Sequence, residues 1–347
     1  MTLRKRLTTL LGEVGLQGPH EEETPNQAHG ALADYWYQQA ESQEECSIET
    51  LGNYESHTRP SGTVHLIRTV YPDYQLEEMM ETERFAQLLG DERLKDFSLG
   101  KALFLDIEAT HVYHGAACQA FIIGIGFFDP EQGLVVEQIL QCDPEHELPG
   151  LEHLLARIET HPYLITFNGK SYDLTVLENR MVIQRLLTRR EAGLKLNPHI
   201  DLLHVCRRIW GGCFEDCRLG TLEAQVLNLG RSHDLPGRYA PDFYFAYLHT
   251  NNARLLEPVL DHNLLDVRNL ATLLQKSDEV LHHSPLLYGP QIRANVGRWF
   301  LNRGLEDGLE ALLSCLNAPL DPKVKMSIYR ACLRRLKQNH DIPGIES

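Results

Sequence analysis

The chain has 347 residues, with 33 Lys and Arg against 48 Asp and Glu, for a formal net charge of −15. A hydrophobic fraction of 43% supports a buried core and excludes wholesale disorder, and no run of about 18 apolar residues exists to span a membrane. Arg4, Lys5 and Arg6 precede no apolar leader, so the expectation is a cytoplasmic chain whose eight cysteines are reduced thiols.

Taken globally, the charge argues against nucleic acid, because phosphate binding needs local positive potential. By position the balance changes. Residues 1–100 hold 18 acids and 8 bases. Between positions 180 and 218, Arg180, Arg185, Arg189, Arg190, Lys195, Arg207, Arg208 and Arg218 face only Glu191, Asp201, Glu215 and Asp216. Such a stretch suits a polyanion ligand or a solvated helix surface alike.

Residues 1–60 read as a poorly ordered acidic arm with weak apolar periodicity. Within it, residues 3–11 carry Leu3, Leu7, Leu10 and Leu11 at helical spacing, which fits a frayed terminus or a docking helix for a partner protein. A strand is expected over residues 63–70 and a helix over 74–89. The regular core starts near Lys101, with apolar strands at 102–107, 119–128 and 134–140. Residues 129–133, Asp-Pro-Glu-Gln-Gly, join the last two as a hairpin turn.

A helix over 151–160, a strand over 163–167 and a long helix over 171–187 capped by Ser171 follow. A strand at 199–203 leads into helices at 203–210, 219–227, 242–248 and 257–275. This order predicts an α/β fold with a mixed sheet. Residues 285–347 read as a helical C-terminal region, with helices at 292–303, 305–316 and 323–337. Residues 61–284 then form the central domain.

Three short constellations carry chemistry. In the strand Phe104-Leu105-Asp106-Ile107-Glu108, positions i and i+2 share a face, so Asp106 and Glu108 point the same way. Two such carboxylates repel each other, and a hard divalent cation relieves that repulsion. The second constellation, Asn168-Gly169-Lys170-Ser171-Tyr172-Asp173, follows a strand and opens a helix. Asp173 falls in the first turn, where the helix dipole favours a carboxylate. In the third, His262 and Asp266 are spaced i, i+4 and lie one turn apart on a helix, which places a proton acceptor beside a carboxylate.

In this order and spacing the three resemble the motifs of the DnaQ-like, or DEDD, 3′→5′ exonucleases of the ribonuclease H-like fold. The run from Phe104 to about Leu274 is most similar to the YprB/MrfB-type branch of that fold. Asp201-Leu202-Leu203-His204 and Leu219-Gly220-Thr221-Leu222-Glu223 resemble its intervening segment. Three residues lie between His262 and Asp266, a spacing that resembles the family's Tyr form more than its usual His form. The resemblance implies a mixed five-stranded sheet flanked by helices, with a helical C-terminal appendage. It further implies that Asp106, Glu108, Asp173 and Asp266 bind two Mg²⁺ or Mn²⁺ ions. His262 would be the general base, Thr110 would lie near the terminal nucleotide, and Asn168 would contact the substrate or orient the site. Lys170, beside the second motif, is a candidate phosphate contact, as is Arg180, for which a surface role fits equally.

The implied activity is metal-dependent hydrolysis of DNA from a 3′ end, in repair and beside a repair helicase. An RNA exonuclease of the same chemistry is the nearest alternative, because selectivity rests on 2′-OH contacts and groove shape. A catalytically silent nucleic-acid or helicase-binding module is the alternative of another class. Cys213 and Cys217, with Cys206 and His204 nearby, lack a second well-spaced pair and read as structural thiols rather than a zinc site. Trp210 and Trp299 read as core. Gly124 and Gly126 lack the context of a dinucleotide fingerprint. Arg330, Arg334, Arg335 and Lys337 form either a solvated helix face or a second contact surface.

Overall fold

The computed structural model describes residues 46–74, 82–111, 117–187, 193–194, 197–231 and 234–338, together with Gln38. The helix expected at residues 3–11 lies outside the described residues, as do Arg189, Arg190, Glu191, Lys195 and the side chain of Lys337.

The strands are β1 (Tyr54–Arg59), β2 (Gly62–Tyr71), β3 (Ala102–Ala109), β4 (Ala120–Asp129), β5 (Gly133–Leu140), β6 (Tyr163–Thr166) and β7 (His199–Asp201). They form one sheet in the order β1-β2-β5-β4-β3-β6-β7. Pairing is antiparallel from β1 through β3 and parallel from β3 through β7. The expected mixed sheet is therefore present, but it has seven strands rather than five. The two additional strands are the N-terminal hairpin, which joins the free edge of β5. β1 falls inside the stretch expected to be poorly ordered, because its sequence, Tyr-Glu-Ser-His-Thr-Arg, has little to bury. Backbone pairing to β2 orders it, aided by a 2.7 Å bond between the Tyr54 hydroxyl and His65 Nδ1.

The β4–β5 connection is the turn anticipated from Asp129-Pro-Glu-Gln-Gly133. Asp129 Oδ1 accepts the amides of Glu131 and Gln132 at 2.9 and 3.0 Å, and Gly133 takes a φ of +78°.

Alternation along the strands builds two cores. On one face Leu103, Leu105, Ile107, Ile123 and Ile125 pack against α2 (Leu148–Thr160) and α3 (Asp173–Ile183). On the other, Phe104, Val136, Ile165 and Ile200 pack against α4 (Leu202–Trp210), α5 (Leu219–Gln225) and α7 (Glu257–His282). A third cluster joins β4 and β5 to α6 (Ala240–Thr250), where Phe121 and Tyr244 stack with centroids 4.3 Å apart.

The C-terminal helices are α8 (Pro290–Asn302), α9 (Asp307–Leu313) and α10 (Pro322–Gln338). They are continuous with the main core, since Val296, Trp299 and Phe300 of α8 belong to it. Trp299 Nε1 donates to Leu88 O at 3.0 Å, at the end of α1 (Thr82–Leu89), and Asn295 Nδ2 donates to Gly211 O at 2.8 Å, just past α4. Trp210 and Trp299 are buried, as expected of core residues. Among the described residues no helix is long and apolar enough to cross a membrane.

Candidate active site

The site lies where β3, the start of α3 and the middle of α7 meet. Phe104 lies in one core while Leu105 and Ile107 lie in the other, so Asp106 and Glu108 project together on the α7 side. A shift of register between Glu108 and Ala109 ends the regular pairing of β3 with β4 just past the second carboxylate. Asp173 opens α3, buried, and its Oδ1 accepts the Ile107 amide at 3.2 Å, which ties the helix start to the strand carrying the other two acids.

On α7, His262 and Asp266 face this cluster. His262 Nε2 lies 3.9 Å from Glu108 Oε1 and 3.7 Å from Asp266 Oδ2. Between them in sequence, the fully buried Asn263 donates from Nδ2 to Asp106 Oδ2 at 2.9 Å. Gln138 Nε2 fixes that amide in turn, donating to Asn263 Oδ1 at 3.0 Å. Gly124 and Gly126 of β4 let α7 approach this closely: a Cβ at Gly124 would collide with Asn263 Oδ1, and one at Gly126 would lie 2.8 Å from Val267 Cγ1.

Burial and mutual repulsion push the acids upward. Burial raises Asp106, with Asp266, Asp173 and Glu108 adding to it. Burial likewise lifts Glu108 to about 8 and Asp173 to about 7. For His262 burial works against the charged form, but the bond to Asp234 and the charges of Asp266 and Glu108 outweigh it and carry the ring up to about 10.

The turn before α3 is held from below. Asn168 adopts a φ of +67°, and Asp201 accepts the amides of Asn168 and Lys170 at 2.8 and 3.1 Å while also capping α4 through Leu203 N at 3.2 Å. One carboxylate thus sets the turn and the next helix. A cavity of about 470 Å³ opens beside it, lined by Asp106, Asp266, Asn168, Phe167, Arg207 and Arg218 among others. The exposed Arg207 and Arg218 share this lining with the acids, Asp216 among them, and Arg218 Nε lies 3.3 Å from Asp216 Oδ2.

The profile of the RNase_H superfamily matches residues 103–277, half of the chain and the whole of this site. The chain belongs to the RNase_H superfamily. Over 238 residues it is also 29% identical to the "Uncharacterized protein YprB" of Bacillus subtilis (strain 168), an alignment covering 67% of this chain and 55% of that protein. The chain therefore spans about half the length of this curated relative.

The residues singled out in the sequence do not all gather here. Asp106, Glu108, Asp173, His262 and Asp266 share one site, and Asn168 lines the adjoining cavity. Thr110 sits just beyond β3, buried, with Oγ1 accepting the Gln119 amide at 3.1 Å; it does not line the cavity. Lys170 is exposed and also lies outside the lining. Arg180 is not a phosphate contact of this site: it is buried, with Nε 2.8 Å from Glu147 Oε2. The helix expected to run to residue 187 ends at Ile183, with Arg185 in the left-handed region at φ +61°.

Asn263, Arg231 and Asp234 emerge only from the structure, as do the bonds made by Asp201 and Glu223, which the sequence marked only as part of the intervening segment. Arg231 Nη2 bonds both Asp266 and Glu223, and its Nη1 donates to Asp234 Oδ2 at 2.9 Å. Among the described residues no three His, Cys, Asp or Glu side chains are drawn together as a preformed metal cluster. Asp266 is instead turned partly toward the Arg231 guanidinium, and Asp106 toward the Asn263 amide. The donor set nevertheless fits a hard divalent cation. Three carboxylates with raised proton affinity, Glu108 and Asp173 buried and Asp106 half-buried, call for positive charge, and all the donors are oxygen.

Proposed function

We propose that the protein is a metal-dependent 3′→5′ exonuclease acting on DNA, and that it works in repair. The observation that carries this reading is the convergence of four carboxylates and one imidazole from three separated segments, two of the carboxylates, Asp106 and Asp266, lining an open cavity. Polarity and the choice of DNA rest on the resemblance of the three motifs to DnaQ-like exonucleases. A silent binding module would have no use for two raised carboxyls beside a histidine held by its own acid partner.

Asp106, Glu108, Asp173 and Asp266 would hold two Mg²⁺ or Mn²⁺ ions. When bound, these would supply positive charge for the attacking and leaving oxygens of an in-line displacement. The chain's own part is positional. With bound cations offsetting the charges of Asp266 and Glu108, two of the groups that hold the ring protonated, His262 Nε2 would be free to take a proton from the attacking water as its oxygen bonds to phosphorus. The bond from phosphorus to the 3′ oxygen breaks, and that oxygen takes a proton from solvent. The products are a nucleoside 5′-monophosphate and a strand shortened by one with a new 3′-hydroxyl. Arg207 and Arg218, along the cavity, meet the phosphates of the incoming strand.

The test is a strand labelled at its 3′ end, with and without Mn²⁺, as DNA and as RNA and in single- and double-stranded form. The wild-type protein releases labelled mononucleotide from DNA at once, and Asp106→Ala releases none. His262→Ala retains nucleic-acid and metal binding but cleaves about 10²–10⁴-fold more slowly. Full activity in Asp106→Ala removes the assignment, and release of label only after internal cuts removes the exonuclease polarity.

A further inference from the structure

His262 is the group in the site best placed to move a proton, and a line of polar side chains outside the five motif residues supports it. Its Nδ1 lies 2.8 Å from Asp234 Oδ1. The other oxygen of Asp234 accepts from Arg231 Nη1 at 2.9 Å. The second amino group of the same guanidinium bonds Asp266 and the fully buried Glu223, and Asn269 Nδ2 holds Glu223 Oε1 at 2.8 Å. Little of this is open to water: side-chain exposure is 17% for His262, 24% for Asp234 and 12% for Arg231.

We propose that Asp234 is a positioning residue for hydrolysis, holding the His262 ring with Nε2 toward the carboxylates, and that Arg231 fixes Asp234 and Asp266 to one guanidinium so that both are placed together. This rests on the nuclease reading given above.

The shorter contact assigns the ring's hydrogens, since Asp234 Oδ1 lies 2.8 Å from Nδ1 and the Arg231 Nη1 donor is farther off at 3.4 Å. An ionised carboxylate only accepts, so the Nδ1 facing Asp234 carries a hydrogen, and the ring's proton-accepting atom is Nε2. That atom is the one 3.9 Å from Glu108 and 3.7 Å from Asp266. When Nε2 gains a proton, the bond from Nδ1 to Asp234 becomes charge-assisted, which favours the protonated ring where it forms. A histidine on a helix can swing about χ1 and χ2. With Asp234 in place, those two torsions are set before substrate arrives, the same logic by which partners outside a site orient its histidines. Arg231 adds a constraint no single pair supplies. Because it bridges Asp234 and Asp266, the loop carrying the former cannot shift without disturbing a ligand carboxylate on α7.

Two readouts separate this from a merely structural role. In the full-length, metal-free protein, the His262 Nδ1 proton should appear in NMR spectra as a downfield, slowly exchanging resonance that Asp234→Ala removes. In steady-state cleavage with Mn²⁺, Asp234→Ala should lower kcat by about 10–100-fold, with KM and the Mn²⁺ requirement within about twofold. Asp234→Glu should recover part of the loss. In a His262→Ala background, Asp234→Ala should cost nothing further, since the two act as a unit. Should Asp234→Ala not fold, Asp234→Asn serves in the same cycle. The proposal is overturned if the Nδ1 resonance is missing from the wild type. It is equally overturned if the Asp234 substitution slows the His262→Ala protein as much as it slows the wild type. A wild-type protein that cleaves nothing would defeat the nuclease reading alone, because the NMR experiment tests the pairing without activity.

Discussion

At the scale of single residues, the site is a set of charges arranged at some cost. Glu108 and Asp173 are raised to about 8 and 7, first by burial and then by neighbouring acids, and His262 to about 10 by three anionic partners working against burial. In each case the folded protein binds protons that the unfolded chain would release. Stability of the metal-free protein therefore falls as pH rises, from about 4 through 8 for the carboxylates and from about 6.5 through 10 for the histidine. Thermal unfolding of protein stripped with a chelator should show Tm decreasing between pH 5 and pH 9. Adding Mn²⁺ or Mg²⁺ should raise Tm most at the alkaline end, where the carboxylates are ionised. A metal-induced rise that is equal at both ends would mean the cations bind elsewhere. The acids are legible in the sequence because carboxylates two apart on a strand, or one turn from a histidine, have a periodic signature. Asn263 has none, since an amide beside His262 in a helix looks like any polar residue until its depth is known. Arg231 and Asp234 sit in an irregular connection whose place against α7 is decided by tertiary packing.

At the scale of elements, alternation in β3 and β4 announces both cores, because each strand is buried on two faces and only its polar exceptions stand out. The signal fails where backbone pairing rather than burial does the ordering, as in β1, and where a loop bends against the helical pattern, as at Arg185. Charge is ambiguous for a related reason. Arg180 and Arg207 belong to the same basic run, yet one is buried against Glu147 and the other lines the cavity. Replacing Arg207 and Arg218 together by Ala should weaken DNA binding without sequence preference. It should also lower the slope of log K against log salt by about 2, one for each phosphate no longer neutralised. An unchanged slope would place the strand elsewhere. Gly124→Ala probes the β4–α7 packing. The added methyl collides with Asn263 Oδ1, so destabilisation of about 1–3 kcal/mol is expected. Activity should drop beyond what the reduced stability explains, because Asn263 holds Asp106. Chemical denaturation alongside cleavage rates measures both.

At the scale of the whole molecule, the net charge of −15 describes the chain but not the ligand surface. Much of the acidic excess belongs to the first hundred residues, while the cavity mixes Arg207 and Arg218 with Asp106, Asp216 and Asp266, so the global sign alone does not describe the charge around it. The C-terminal helices are likewise less separate than their composition implies. The charged face of α10 reads as a surface, but Trp299 and Phe300 of α8 close the same core that backs the site. The 26-residue α7 unites these layers. It contributes Val267, Leu270, Leu273 and Leu274 to the main core and carries His262, Asn263 and Asp266 on the same stretch of backbone. Amide protons in the middle of α7 should then exchange with deuterium only through global unfolding, with protection equal to the full unfolding free energy, while those of β1 open locally and much sooner. Exchange mass spectrometry resolves the two regimes. For a cell the corollary concerns inactivation: if α7 opens only with the whole molecule, His262 and Asp266 leave the site only when the fold itself is lost.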